Sequence, residues 1–156
     1  MASLLRDERI VDFDVIALQE PWRNNYINTT HYPGGQHFQL VYLDHPETRT
    51  CFLINKRIPR ARWTATLHSP DLCTLAVENG CRKGTQTTHI HNVYNPIIDT
   101  GQSTTPLLRE ILMQPTEGNR IVLGDFNLHT PTGEAKPAQD TTIKQTNSYF
   151  SWMSTS

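Results

Sequence analysis

Short apolar runs separated by turn residues dominate the chain, and few stretches carry a helical repeat. Val15-Ile16-Ala17-Leu18 is a continuous apolar run of strand length, of the sort buried on both faces. It leads into Gln19-Glu20-Pro21-Trp22, where proline cannot extend a ladder, so Glu20 falls at the strand's carboxyl end. Residues 38–43 and 49–54 predict two strands joined by the Asp44-His45-Pro46-Glu47 turn, and two more fall at 63–67 and 72–77 around Ser69-Pro70-Asp71. Short strands this closely spaced predict an antiparallel meander inside a mixed fold. Residues 87–95 form a further strand ending before Pro96, and Arg120-Ile121-Val122-Leu123 reads as a buried strand stopping at Gly124.

Helical spacing is limited to three places. Ser3 is positioned to cap a helix to about Val11 with Leu4, Leu5 and Val11 inward, and Thr105 to cap 106–113 with proline at its first position. A last helix is expected over 141–153, burying Ile143, Phe150 and Trp152. Residues 23–37 and 99–104 read as polar loops, and no repeat or linker breaks the chain, so residues 1–156 are expected to form a single domain.

Composition narrows the function classes. Ten prolines in 156 residues favour strand-loop junctions over a helical bundle. A formal net charge of −1 lacks the basic excess of proteins that bind nucleic acid by bulk electrostatics. The local basic run Lys56-Arg57-Ile58-Pro59-Arg60-Ala61-Arg62, with Arg82 and Lys83, is either a phosphate-facing edge or a solvated loop. Three cysteines without C-x-x-C spacing indicate neither a disulfide framework nor a zinc site. The charged opening residues do not suit a signal peptide, and no apolar run reaches membrane-spanning length, so an intracellular location without membrane contact is expected.

Candidate chemistry gathers at strand exits. Asp125, Asn127 and His129 alternate with Phe126 and Leu128, and period-2 geometry would put the three polar groups on one side. That set suits a metal or a phosphate, or else an ordinary polar turn whose Asp and Asn satisfy local backbone groups. Glu20 leaves its own strand in the same way, and if the two strands are neighbours both carboxylates reach one sheet edge; alone, Glu20 reads equally as a solvent-facing charge. Tyr94 precedes Asn95-Pro96 at a third exit, where a phenol either donates to a phosphate oxygen or simply packs. His89 and His91 form an H-x-H pair without a third soft ligand nearby in sequence.

In this order, Leu18-Gln19-Glu20, Val93-Tyr94-Asn95-Pro96 and Gly124-Asp125-Phe126-Asn127-x-His129 resemble the endonuclease/exonuclease/phosphatase family. Ala17-Leu18-Gln19-Glu20-Pro21-Trp22-Arg23-Asn24 and His91-Asn92-Val93-Tyr94-Asn95-Pro96 are similar to the endonuclease domain of fungal LINE-type, non-LTR retrotransposons. The resemblance implies a four-layer α/β/β/α sandwich with two facing mixed sheets and a site at one rim. It also implies hydrolysis of a phosphodiester, here DNA nicking, with a divalent metal, magnesium or manganese. By the same resemblance Glu20 is a metal ligand, Tyr94 a phosphate contact, Asp125 the group that orients or deprotonates water, and Asn127 its partner on the phosphate; His129 is an additional site residue whose role stays open. DNA is then the partner, a small-molecule ligand is not expected, and action on chromosomal DNA implies the nucleus. The family's first strand, with its asparagine, and its closing Ser-Asp-His strand are missing from the sequence, so the sandwich is expected to be incomplete, marginally stable and impaired in nicking. The alternatives are an inactive remnant or nucleic-acid-binding module and, third, a phosphatase or lipid phosphodiesterase of the same family.

Overall fold

A computed structural model of the chain describes residues 7–21, 23–24, 29–30, 35–81, 84–96 and 103–127. Among them the strands are β1 (Val15–Gln19), β2 (Arg23–Asn24), β3 (Thr29–Thr30), β4 (Phe38–Tyr42), β5 (Thr50–Asn55), β6 (Trp63–Ser69), β7 (Leu72–Cys81), β8 (Gly84–Tyr94) and β9 (Asn119–Asp125), with one α-helix, α1 (Thr105–Met113). The fold is mixed α/β with two main sheets, in the orders β1-β5-β4 and β6-β7-β8-β9, and β2 and β3 form a small ribbon inside the predicted 23–37 loop.

β5 is buried at all 6 of its residues because it is the middle strand of its sheet and is covered on both sides. On one side Phe52 and Ile54 join Val15, Trp63, Cys73, Leu75, Val77 and Ile90, so strands of both sheets contribute to one apolar core. On the other, Leu53 packs with Ile10, Ile16 and Phe38. β1 is therefore covered on both faces where it begins, at Val15 and Ile16, and only half-buried toward its exit. The meander predicted from the strands at 38–43, 49–54, 63–67 and 72–77 is divided between the sheets: β4 pairs antiparallel with β5 in one, β6 with β7 in the other, and β7 continues antiparallel to β8. After it, α1 carries the chain over to β9, which lies parallel to β8. Leu108 of α1 packs on Leu72 and Val93, the outward residues of β7 and β8, while Arg120 donates to the carbonyls of Leu112 and Gln114 at the helix end.

The sheets are joined by more than apolar contact. Asn92 of β8 is fully buried. Its Nδ2 donates to the carbonyls of Leu18 (3.1 Å) and Cys51 (2.9 Å), and its Oδ1 accepts from Gln19 at 2.5 Å. The Ser69-Pro70-Asp71 turn does the same through the backbone: the Pro70 carbonyl accepts from the Arg49 and Thr50 amides at 2.8 and 3.2 Å, and the Asp71 carbonyl from the Tyr94 amide at 2.8 Å. Cys51 and Cys73 lie in this interior as free thiols, and burial pushes both up, Cys73 to about 12, as befits unreactive core residues.

Several expectations change. The helix expected up to Val11 is, over the described residues, a 3-10 turn, Glu8–Asp12; its cap is Asp7, whose carboxylate accepts the Arg9 amide at 3.0 Å, and Ser3, Leu4 and Leu5 lie outside the described residues. Among the described residues β9 pairs with β8 alone and is half-buried rather than buried, with Val122 38% exposed. The basic run sits at the far end of β5 from Thr50, and Lys56, Arg57 and Arg60 are bound into the fold while Arg62 is exposed. Lys56 donates to the Gly35 carbonyl (2.6 Å), Arg57 pairs with Asp14 (2.6 Å), and Arg60 stacks 4.0 Å over the Trp63 ring. Of the H-x-H pair, His91 is taken up structurally: Thr74 Oγ1 bridges His68 Nε2 (2.9 Å) and His91 Nδ1 (2.8 Å). The expected 141–153 helix, Arg82 and Lys83 lie outside the described residues.

Replacing Asn92 with alanine removes three hydrogen bonds between the sheets and leaves a gap in the interior, a loss of about 2 kcal/mol or more in urea unfolding. Burial, with help from His89, Arg120 and His68, pushes His91 down from its ordinary 6.5 to about 4. The folded state then binds fewer protons than the unfolded one, so this contribution is intact above the unfolded value and lost as pH falls from about 6.5 toward about 4. Paired unfolding titrations should show a shallower loss across that window in His91→Gln than in the unaltered chain.

Candidate active site

Three strands from two sheets deliver their exits to one rim. β8 and β9 run parallel with Tyr94 and Asp125 as register partners, and the Asn95 amide donates to the Asp125 carbonyl at 2.7 Å. So close an approach depends on Gly124, at φ +149: a Cβ there would stand 1.8 Å from the Val93 carbonyl oxygen. Glu20 arrives from β1 in the left-handed region at φ 50, its amide donating to the Arg49 carbonyl at 2.7 Å. A non-glycine residue with positive φ costs about 1 kcal/mol or more unless its surroundings hold it there.

Beyond Asp125 the strand ends, and period-2 geometry ends with it. Asn127 is itself left-handed, at φ 43, and its amide donates to Asp125 Oδ1 at 3.1 Å, so a side-chain turn rather than strand alternation sets its position. Its Nδ2 donates to the Asn95 carbonyl at 2.8 Å. The ordinary-turn reading of the Asp-Asn pair is therefore present: the two side chains satisfy backbone groups at the rim. His129 lies outside the described residues.

Asn95 organises the floor of the rim. Its Nδ2 donates to the Phe126 carbonyl at 3.0 Å, and its Oδ1 accepts from Ser103 Oγ at 3.2 Å and the Thr104 amide at 3.0 Å. The helix cap is Thr104 rather than the predicted Thr105, and it makes no side-chain cap bond because its hydroxyl donates to the Tyr94 carbonyl at 2.8 Å. The start of α1 is thereby fixed against the end of β8.

Electrostatics at the rim centre on the Tyr94 phenol. Burial raises its pKa above the ordinary value; a hydrogen bond with Glu20 and the charges of Glu20 and Asp125 push the same way, while Arg49 pulls it down. The phenol is therefore held protonated with both carboxylates as neighbours. The Arg49 guanidinium lies 4.8 Å from the centroid of the Tyr94 ring, and its Nε and Nη2 grip both oxygens of Asp71 at 2.6 and 2.7 Å.

The rim thus brings together Glu20, Tyr94, Asp125 and Asn127, with one correction. Glu20 and Asp125 are not on neighbouring strands of one sheet; β1 and β9 belong to different sheets and meet across the junction between them. Among the described residues no three His, Cys, Asp or Glu side chains are grouped for a metal ion. Two carboxylates beside a phenol nonetheless form a hard oxygen set, which suits a cation that keeps most of its waters. Arg49, Asp71 and the organising role of Asn95 were not found in the sequence, because nothing local links Arg49 to Asp71 or Asn95 to Phe126. Neither a family model nor a curated protein matches the chain.

Gly124→Ala should lower stability by about 2 kcal/mol and displace Asp125, since a Cβ meets backbone that cannot yield. Urea unfolding checks the first effect. The second predicts amide chemical-shift changes concentrated at residues 93–95 and 125–127.

Proposed function

We propose that the chain hydrolyses phosphodiesters with the help of a divalent metal and acts as a DNA-nicking endonuclease domain of the retrotransposon type, built on an α/β/β/α sandwich. The observation that carries this reading is the meeting of Glu20, Tyr94 and Asp125, from three distant segments, around one phenol. Magnesium or manganese, held by Glu20 together with water, would supply positive charge for the phosphate and the leaving oxygen.

The chain's own groups have complementary tasks. Asp125 has one oxygen fixed by the Asn127 amide, which leaves lone pairs to orient a water and take its proton. Tyr94 keeps its proton in the company of two carboxylates, and when substrate enters, the hydrogen bond it shares with Glu20 would pass to a phosphate oxygen. Asn127 spends one Nδ2 hydrogen on the Asn95 carbonyl and has a second for the phosphate. His129 remains a candidate for an additional contact. A DNA substrate makes the nucleus the place of action. No helix of the described residues is long and apolar enough to cross a membrane.

Supercoiled plasmid incubated with the chain and magnesium should become nicked. Asp125→Ala and Glu20→Gln should each reduce the rate by about a hundredfold or more while the fold persists by circular dichroism. Magnesium-independent nicking, or equal rates in the Asp125 variant, would remove the assignment. DNA binding without any nicking would point instead to a nucleic-acid-binding module.

A further inference from the structure

An acidic rim that is to receive a polyanion needs a fixed cation besides any metal, and the basic run at 56–62 is at the wrong end of β5 to provide it. Arg49 is at the right end. It immediately precedes β5, its amide donates to the Pro70 carbonyl and its carbonyl accepts from the Glu20 amide, so the main chain fixes it next to the backbone of Glu20. Its side chain is 29% exposed, whereas that of its partner Asp71 is 11% exposed. The fork formed by Nε and Nη2 is spent on Asp71, and Nη1 makes no hydrogen bond among the described residues. The two bonds to Asp71 hold its plane, and the guanidinium carbon lies 4.8 Å from the centroid of the Tyr94 ring.

We propose that Arg49 binds a phosphate oxygen of DNA lying at this rim through Nη1, and that Asp71 is a positioning residue that holds the guanidinium against Tyr94 for that contact. The assignment rests on the DNA reading above. It gives the Arg49–Asp71 pair a use beyond joining the start of β5 to the β6–β7 turn. A rigid, planar, always-charged group suits phosphate better than a flexible ammonium would.

Binding of a short labelled DNA duplex across a sodium chloride series tests it, in full-length chain with Asp125→Ala as background so that no cutting intervenes. Arg49→Ala should lower the slope of log affinity against log salt by about one and weaken binding about tenfold. Arg62→Ala, the same charge change on an exposed residue at the far end of β5, should leave the slope unchanged. Arg49→Lys should keep the slope and lose affinity. Asp71→Asn should weaken binding although it makes the rim less negative, a sign that bulk charge does not predict.

An unchanged slope in folded Arg49→Ala overturns the inference, as does a failure of the background chain to bind the duplex. If Arg49→Ala does not fold, undiminished affinity in Arg49→Lys overturns it instead. Plasmid nicking by the chain with Asp125 intact separates the two readings. Nicking with an unchanged slope removes only the Arg49 assignment, and a lowered slope without nicking removes only the nuclease.

Discussion

The carboxamide of Asn92 sets the spacing on which the rest of the rim depends. Apolar side chains hold two sheets together without specifying how far one has slid along the other, since dispersion contacts are non-directional. A fully buried amide that must satisfy the Leu18 and Cys51 carbonyls and accept from Gln19 has few alternative positions. It lies two residues before Tyr94 on β8 and faces the last residues of β1. The group that aligns the sheets is therefore also the one that aligns the strand exits.

The rim itself concentrates unusual backbone. Glu20 and Asn127 have positive φ, and the sole residue between Leu123 and Asp125 is a glycine pressed against Val93. Each departs from what its neighbours would adopt unaided, and Glu20 and Asn127 are held there by hydrogen bonds, Asn127 also through Nδ2 to the Asn95 carbonyl. Strain of this kind is kept where the surroundings over-determine it. Here those surroundings are the Arg49 carbonyl for Glu20 and the Asp125 carboxylate for Asn127.

How much of this was legible in the sequence follows from the range of each interaction. The strands at 15–18, 38–43, 49–54, 63–67 and 72–77 were visible because branched and apolar runs, bounded by Pro, Asp and Ser, encode them locally. Glu20, Tyr94 and Asp125 were visible as strand exits for the same reason. That β1 and β9 lie in different sheets was not, because sheet membership is decided by pairing partners far away in the chain. At Asn127 the sequence left strand alternation and a polar turn open, and the turn is what forms, its left-handed conformation leaving no trace in a hydropathy pattern. The Arg49–Asp71 pair, 22 residues apart, looked like two unrelated polar residues at two turns. Arg57, prominent in a basic run, proved to be occupied by Asp14 and nearby carbonyls.

Surface turns between hairpin strands are ordinarily where a protein tolerates lengthening best. The turn at Pro70 and Asp71 is an exception, because its two carbonyls serve as acceptors for opposite sheets. A residue added there would not merely enlarge a loop; it would pull the start of β5 away from the end of β8. Variation among related chains should accordingly spare this corner and accumulate at the β4–β5 connection, even though the two turns look equally permissive on paper.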